Sequence, residues 1–319
     1  MRLLSVIIPC YNAERWVAEA VDSCLRQTYL NVEVIVVDDG STDRSLEILR
    51  AYGKRIKLEV GPNRGGNCAR NVGFALSRGD YIQYLDADDY LLPEKMEIQV
   101  ACLESTGADI VYSDWRHLVS GQDGSHRLEP VEVSGRQSDV LAALLSGWWV
   151  ACMALLIRRS VIEKLAGWDE SLKAAQDRDF FTRAALTSAK IEYLPGCHSI
   201  YRRYGSISVS TGNRQRWAES HCRVLDKATA ALEANQRLSP EYRHALARSY
   251  FGLARNYFDL DREKYYELMA KVLTLEPAFR PLESRLYNMF RHCLGFYAAE
   301  RLASWRRRLV HRRKVYAAP

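Results

Sequence analysis

No stretch of this 319-residue chain offers the ~18 or more consecutive apolar residues that a membrane-crossing helix needs. Met1-Arg2-Leu3-Leu4-Ser5 does not lead into an apolar core with a small-residue cleavage site, so no secretory signal is expected. No two cysteines stand as C-x-x-C. The eight are scattered at 10, 24, 68, 102, 152, 197, 222 and 293, which argues against a disulfide framework or a zinc site and fits a reducing cytoplasm. No G-x-G-x-x-G follows the first apolar run, and no G-x-x-x-x-G-K-[ST] occurs, which argues against a Rossmann dinucleotide site and a P-loop. Acids are missing from Arg301 onward, where seven basic residues stand. They carry +7 of a net +6 and leave residues 1–300 at −1. The body of the chain therefore has no basic excess with which to bind nucleic acid.

What remains is ordinary for a soluble globular chain: 48% hydrophobic and 26% charged residues. Short apolar runs alternate with helical spacing. Leu3–Ile8, Val32–Val37, Ile56–Val60 and Tyr81–Leu85 read as strands. Between them, Trp16, Val17, Ala20, Val21, Cys24 and Leu25 repeat at helical spacing, as do residues of Arg44–Ala51 and Asn67–Ser77. Asn12 is expected to cap the first helix, and Thr42 or Asp43 the second. This alternation predicts an α/β fold with a mostly parallel sheet and right-handed crossovers. Ala108–Ser113 is a further strand, and Gly121–Gly135 a hairpin or flap.

Polar groups fall where the strands end. Tyr11 and Asn12 follow the first, Asp38 and Asp39 the second, and Asp86, Asp88 and Asp89 the fourth. In open α/β sheets the carboxyl ends of the strands are where ligands bind. Asp86 and Asp88 are two residues apart and project from one side of an extended backbone. Two such carboxylates repel unless a proton or cation sits between them. A hard divalent ion with oxygen ligands suits them. Taken alone, Asp86-Ala87-Asp88-Asp89 reads more readily as a solvated acidic loop than as a cation site. Asp177 falls near a helix start, where the dipole favours its ionised form, and is open to two readings, a capping acid or a base. Trp148 and Trp149 are either core residues or a platform for a sugar ring.

Together these segments resemble glycosyltransferase family 2, inverting enzymes with a GT-A fold, of the bacterial cell-surface polysaccharide type. The matching stretches are Ser5–Asn12 (SVIIPCYN), Val36–Asp43 (VVDDGSTD), Asn63–Gly66 (NRGG), Ala69–Gly73 (ARNVG), Gly79–Asp89 (GDYIQYLDADD), Gly167–Glu170 (GWDE) and Gln176–Phe180 (QDRDF). They cover about residues 1–205. The resemblance implies that Pro9, Tyr11 and Glu14 line the base and ribose pocket and that Asp39 bonds the nucleobase. It puts Arg70 near the base or diphosphate, Asp86 toward the ribose, Asp88 on Mg²⁺ or Mn²⁺, and Asp177 in the role of catalytic base. Trp148, Trp149, Gln176 and Tyr204 would lie near sugar or acceptor. Two positions depart from the family: Gln176 stands for a usual Glu, and Tyr204 for a usual His. The expected donor is a nucleotide-diphosphate sugar, most simply a UDP-sugar, and the acceptor a saccharide or lipid-linked saccharide. A non-catalytic sugar-nucleotide binder and a sugar nucleotidyltransferase are the alternatives.

The expected organisation is a catalytic domain over 1–212, a helical extension over 213–280 and a basic amphipathic tail over 281–319. Ser239-Pro240-Glu241 marks a helix start. The tail is open to two readings, a solvated segment or a helix lying on an anionic membrane surface at the inner face of the cell membrane.

Overall fold

The computed structural model describes residues 1–121, 125–204 and 214–316; the side chains of 214 and of 306–316 lie outside it. The tip of the 121–135 hairpin, residues Gly205-Ser206 and the arginines of the tail's end fall outside accordingly.

The first strand, β1 (Leu4–Cys10), is buried almost throughout. Its unbroken apolar run suits a strand covered on both faces. After it come α1 (Val17–Leu25), β2 (Val32–Asp38), α2 (Ser45–Arg50), β3 (Lys57–Val60), α3 (Gly66–Leu76) and β4 (Tyr81–Tyr84). β1 lies between β2 and β4, parallel to both; Val6 is opposite Val34 on one side and Gln83 on the other. α3 lies on this sheet, with Ala69, Val72 and Leu76 packed on Ile35 and Val37. Gly73 makes that approach possible: a Cβ there would stand 2.4 Å from Ile7 Cγ2. These parallel strands bring the Tyr11, Asp39 and Asp86 loops to one sheet edge.

The first two helices begin a little later than their sequence signals. α1 starts at Val17 with no side-chain cap. Asn12 is instead in a left-handed conformation (φ 49°). Its Oδ1 accepts the Thr42 amide at 2.8 Å, which ties the first loop to the second. Asp43 does accept the Ser45 amide (2.9 Å) at the start of α2.

The second half of the sheet comes from β5 (Tyr90–Leu91), α4 (Lys95–Thr106), β6 (Ile110–Ser120), β7 (His126–Glu132), α5 (Val140–Leu145), β8 (Leu155–Arg158), α6 (Arg159–Leu165), α7 (Gln176–Leu186) and β9 (Ile191–Tyr204). Strand order is β3-β2-β1-β4-β8-β6-β9-β5, with β7 on β6. β8 runs against β4 and β6, β5 against β9 and β7 against β6, so six of the nine described strands share one direction. The β6–β9 register jumps where Asp114 pairs with Cys197, leaving Pro195 and Gly196 as a bulge. The Asp114 carboxylate holds that bulge, accepting the Tyr193 hydroxyl (2.8 Å) and the amides of Gly196 (3.0 Å) and Ser134 (2.8 Å).

Contacts divide the chain into two units. One comprises Met1–Leu144 with Trp148–Val224, and the other Leu145–Gly147 with the residues from Leu225. The second unit is built on α9 (Pro240–Tyr257) and α10 (Arg262–Leu275), which follow α8 (Arg214–Ala234). Ser239 caps α9 and Asp261 caps α10, each accepting an amide three residues on, as N-caps do. The last helix, α11 (Arg285–Tyr316), breaks at Gly295. Its Glu300 is wholly buried, held by Arg255 (3.0 Å) and the Tyr287 hydroxyl (2.7 Å). Leu282, Leu286, Met289, Leu294 and Trp305 remain exposed. Among the described residues no helix is long and apolar enough to cross a membrane.

Candidate active site

The carboxylates converge around one arginine. Arg70, in α3, is almost wholly buried and donates to Asp86 Oδ1 (2.6 Å), Gln176 Oε1 (3.0 Å) and Asn67 Oδ1 (3.1 Å). Its guanidinium lies 4.6 Å from the centroid of the Trp168 ring. Burial works against its charge, but Asp86 and Asp177 more than offset this, and its pKa is raised. Gln176 therefore keeps a link to Arg70 where the family has a second acid.

Asp177 sits in the first turn of α7, partly buried. Burial and the charge on Asp86 push its pKa up to about 6; Arg70 and a hydrogen bond from the Cys152 backbone pull the other way. The helix N-terminus alone would predict an easily ionised acid. Desolvation and a like charge outweigh that dipole here, which leaves a carboxylate poised near neutrality.

The turn bearing Cys152 is pinned from below by buried polar side chains. Gln83 Nε2 (3.1 Å) and Ser199 Oγ (3.2 Å) donate to the Met153 carbonyl, and Gln99 Nε2 to that of Ala154 (2.9 Å). Lys95 Nζ donates to the Leu155 carbonyl (3.0 Å) and to Gln83 Oε1. Lys95 is fully buried, and burial drives its pKa well down. Lys95→Met would orphan two buried acceptors at about 1–3 kcal/mol each, partly offset because no amine need be desolvated. A melting temperature several degrees lower is expected; an unchanged melt would show that the donors are dispensable.

Asp88 accepts the Tyr204 hydroxyl on Oδ2 at 3.1 Å. Burial and Asp86 push its pKa up to about 6. Tyr204 thus stands at Asp88, where the family pattern has His. Asp89, buried behind it, accepts the Arg202 amide at 2.8 Å. Arg202 also donates to the Asp88 carbonyl (2.9 Å) and to Glu19, and lies over Trp16. In the sequence Arg202 is one of two adjacent arginines, Arg202-Arg203, with nothing to single it out. Its partners are more than a hundred residues away, so its task is invisible before folding. His198 packs over Gly196.

The remaining expected positions are distributed less tightly. Asp39 accepts the amides of Arg64 and Gly65, both at 2.8 Å, one on each oxygen, and so shapes the glycine-rich loop that starts α3. Gly40 follows it at φ 77°, where a Cβ would meet the Asn63 nitrogen at 2.8 Å. Tyr11 is exposed and Pro9 half-buried at the end of β1. Glu14 turns away to Arg44, accepting its amide (3.0 Å) and side chain (3.3 Å). The structure separates the two tryptophans. Trp148, half-buried, donates its indole N–H to the Ser134 carbonyl (3.1 Å) and packs on Tyr112 and Phe181. Trp149 faces outward, 40% exposed, on the ring of Trp115.

A family model described as Glycosyl transferase family 2 matches residues 5–166. An uncharacterized glycosyltransferase of Haemophilus influenzae is 46% identical over 104 residues, 31% of this chain and 42% of that protein. Three curated relatives that the chain matches are covered over only 42% to 60% of their own lengths. Among solved structures, S. aureus TarS 1–349 in complex with UDP-GlcNAc aligns with a TM-score of 0.66 at 19% identity, covering 96% of this chain and 92% of that one. A mannosyltransferase from Pyrobaculum calidifontis, in complex with GDP-Man and Mn²⁺, aligns with a TM-score of 0.52 at 18% identity, covering 94% of this chain and 86% of that one. At those identities the likeness is one of fold.

Proposed function

The chain belongs to glycosyltransferase family 2, and on that premise we propose that it transfers a sugar from a nucleotide-diphosphate sugar to a saccharide hydroxyl with inversion. The observation that carries this reading is Asp177: a carboxylate near neutrality, beside Asp86 and Arg70, at the mouth of the strand ends. A general base works best when its pKa lies near the working pH. Asp177 takes the proton of the acceptor hydroxyl. That oxygen bonds to the anomeric carbon as the bond to the diphosphate oxygen breaks, and the nucleoside diphosphate leaves with the electron pair. One displacement from the opposite face inverts the configuration. Arg70 keeps Asp86 fixed and favours the ionised form of Asp177 between turnovers.

A divalent ion fits the donor set. Asp88 is an oxygen ligand whose raised pKa means that its negative charge is under-compensated, which a cation would relieve. Among the described residues no three His, Cys, Asp or Glu side chains converge to hold a metal. Asp88 would therefore hold Mg²⁺ or Mn²⁺ with Asp86 nearby, the rest of the shell being left to the diphosphate. When bound, such an ion supplies Lewis-acid stabilisation of charge on the phosphate oxygens. That both structural neighbours are described with nucleotide sugars supports a donor of this class. The UDP-sugar and the lipid-linked acceptor of a cell-envelope polysaccharide remain part of this proposal, as does contact of the tail with the inner membrane face.

Release of nucleoside diphosphate from a panel of UDP- and GDP-sugars tests the reading. Nucleotide binding without release would favour a non-catalytic binder, and pyrophosphate release a nucleotidyltransferase. Asp88→Ala is expected to weaken UDP binding in Mn²⁺ and leave the metal-free affinity nearly unchanged. Equal calorimetric affinities for wild type and variant in Mn²⁺ would remove Asp88 from the metal site.

A further inference from the structure

We propose that Trp149 and Tyr201, held on the buried ring of Trp115, form a stacking wall that binds the acceptor saccharide beside Asp177, an inference that rests on the transferase reading above.

The wall is continuous. The Trp149 ring lies 4.9 Å from that of Trp115, and Trp115 lies 5.8 Å from Tyr201. His117 closes the back, edge-on to both Trp115 (4.8 Å) and Tyr201 (5.2 Å). Trp115 is only 4% exposed, so the row is anchored in β6 and opens to solvent at its Trp149 end. Both ends lie close in the chain to residues that act on the carboxylates. Trp149 is three residues from Cys152, whose backbone lowers the Asp177 pKa. Three residues span at most about 11 Å of chain. Tyr201 precedes Arg202, whose amide donates to Asp89. Behind the effect of burial, the charges of Asp89, Asp86, Asp177 and Asp88 all raise the Tyr201 pKa. The Tyr201 hydroxyl has no hydrogen-bond partner among the described residues.

The chemistry of this surface selects its ligand. A pyranose ring offers a patch of C–H groups on one face and hydroxyls at its rim. An exposed indole takes the apolar face, and a free phenol can meet a rim hydroxyl. Trp148, one residue earlier, shows what a structural tryptophan looks like here: its N–H is bonded and its ring is packed on Tyr112 and Phe181. Trp149 has no such bond among the described residues. Covering Trp115 would not require an indole with so much of its surface in water.

The test uses the full chain and a panel of methyl glycosides of glucose, galactose, mannose, N-acetylglucosamine and N-acetylgalactosamine. Saturation-transfer NMR reports ring contact, and calorimetry with UDP reports the donor site. At least one glycoside is expected to bind, with affinity falling about 10-fold or more in Trp149→Ala, the loss that goes with one buried aromatic ring. Trp149→Phe should restore most of it, and UDP affinity should hold in both variants. Glycoside binding that is equal in wild type and Trp149→Ala overturns the wall, as does a wild type that binds UDP but none of the panel. Trp149-dependent glycoside binding without any UDP affinity would instead sink the donor reading and leave the carbohydrate subsite standing.

Discussion

Asp177→Asn is expected to lower turnover by about 10²–10⁴-fold, the usual worth of a general base. Asparagine keeps the size and the hydrogen bond from the Cys152 backbone but cannot take a proton. The fold should not suffer. The folded-state pKa of Asp177, about 6, lies above the ordinary carboxylate value, so at pH 7 the fold carries an ionised group it disfavours. A neutral amide removes that penalty, along with repulsion from Asp86. The melting temperature should therefore hold or rise, and UDP affinity should survive. The same pKa sets the pH profile of the wild type. Only the ionised form can act, so turnover should fall as pH drops through about 6 and level off above it. That acid limb should vanish from the residual activity of the variant. Sugar transfer near the wild-type rate in Asp177→Asn would remove Asp177 from the role of base.

The first half of the sheet was legible because each strand is a short apolar run and each crossover has its own turn signal. β9 was not. It carries Pro195 and Gly196 in its middle, and only Asp114, eighty residues earlier in the chain, makes that irregularity a stable bulge. The acids of the site were legible because Asp86, Asp88 and Asp177 stand at strand or helix ends in a family pattern. Which tryptophan of a pair faces outward was not, because that depends on the turn through Gly147 at φ 106°. Sequence spacing also could not reveal that Glu14 would be drawn to Arg44, or that Trp115 and Tyr201 would meet across the β6–β9 pair. Pairings between distant segments decide these details, and local periodicity carries no record of them.

Arg70→Met is expected to damage both stability and activity, and the two losses can be separated. Arg70 is nearly sealed, with 6% of its side chain exposed, and bonds Asp86, Asn67 and Gln176 while lying over Trp168. Removing one member of a buried ion pair costs about 3–5 kcal/mol, because the other charge is left behind. Asp86 is 34% exposed, so water can take over part of the role of Arg70 and the cost should fall at the lower end. Activity should suffer by a different route. Without the guanidinium, Asp86 still faces Asp177 and the main charge opposing that repulsion is gone. The Asp177 pKa should then climb above about 6, and the acid limb of turnover should move toward alkaline pH by the same amount. Raising the pH should recover part of the lost turnover, which a merely unfolded or loosened variant could not do. Arg70→Lys keeps the charge but not the fork that holds Asp86 and Gln176 together. It should leave the acid limb near its original place while still lowering the melting temperature. If both variants show the wild-type pH profile, Arg70 does not govern the ionisation of the base and serves only to hold α3 against the strand ends.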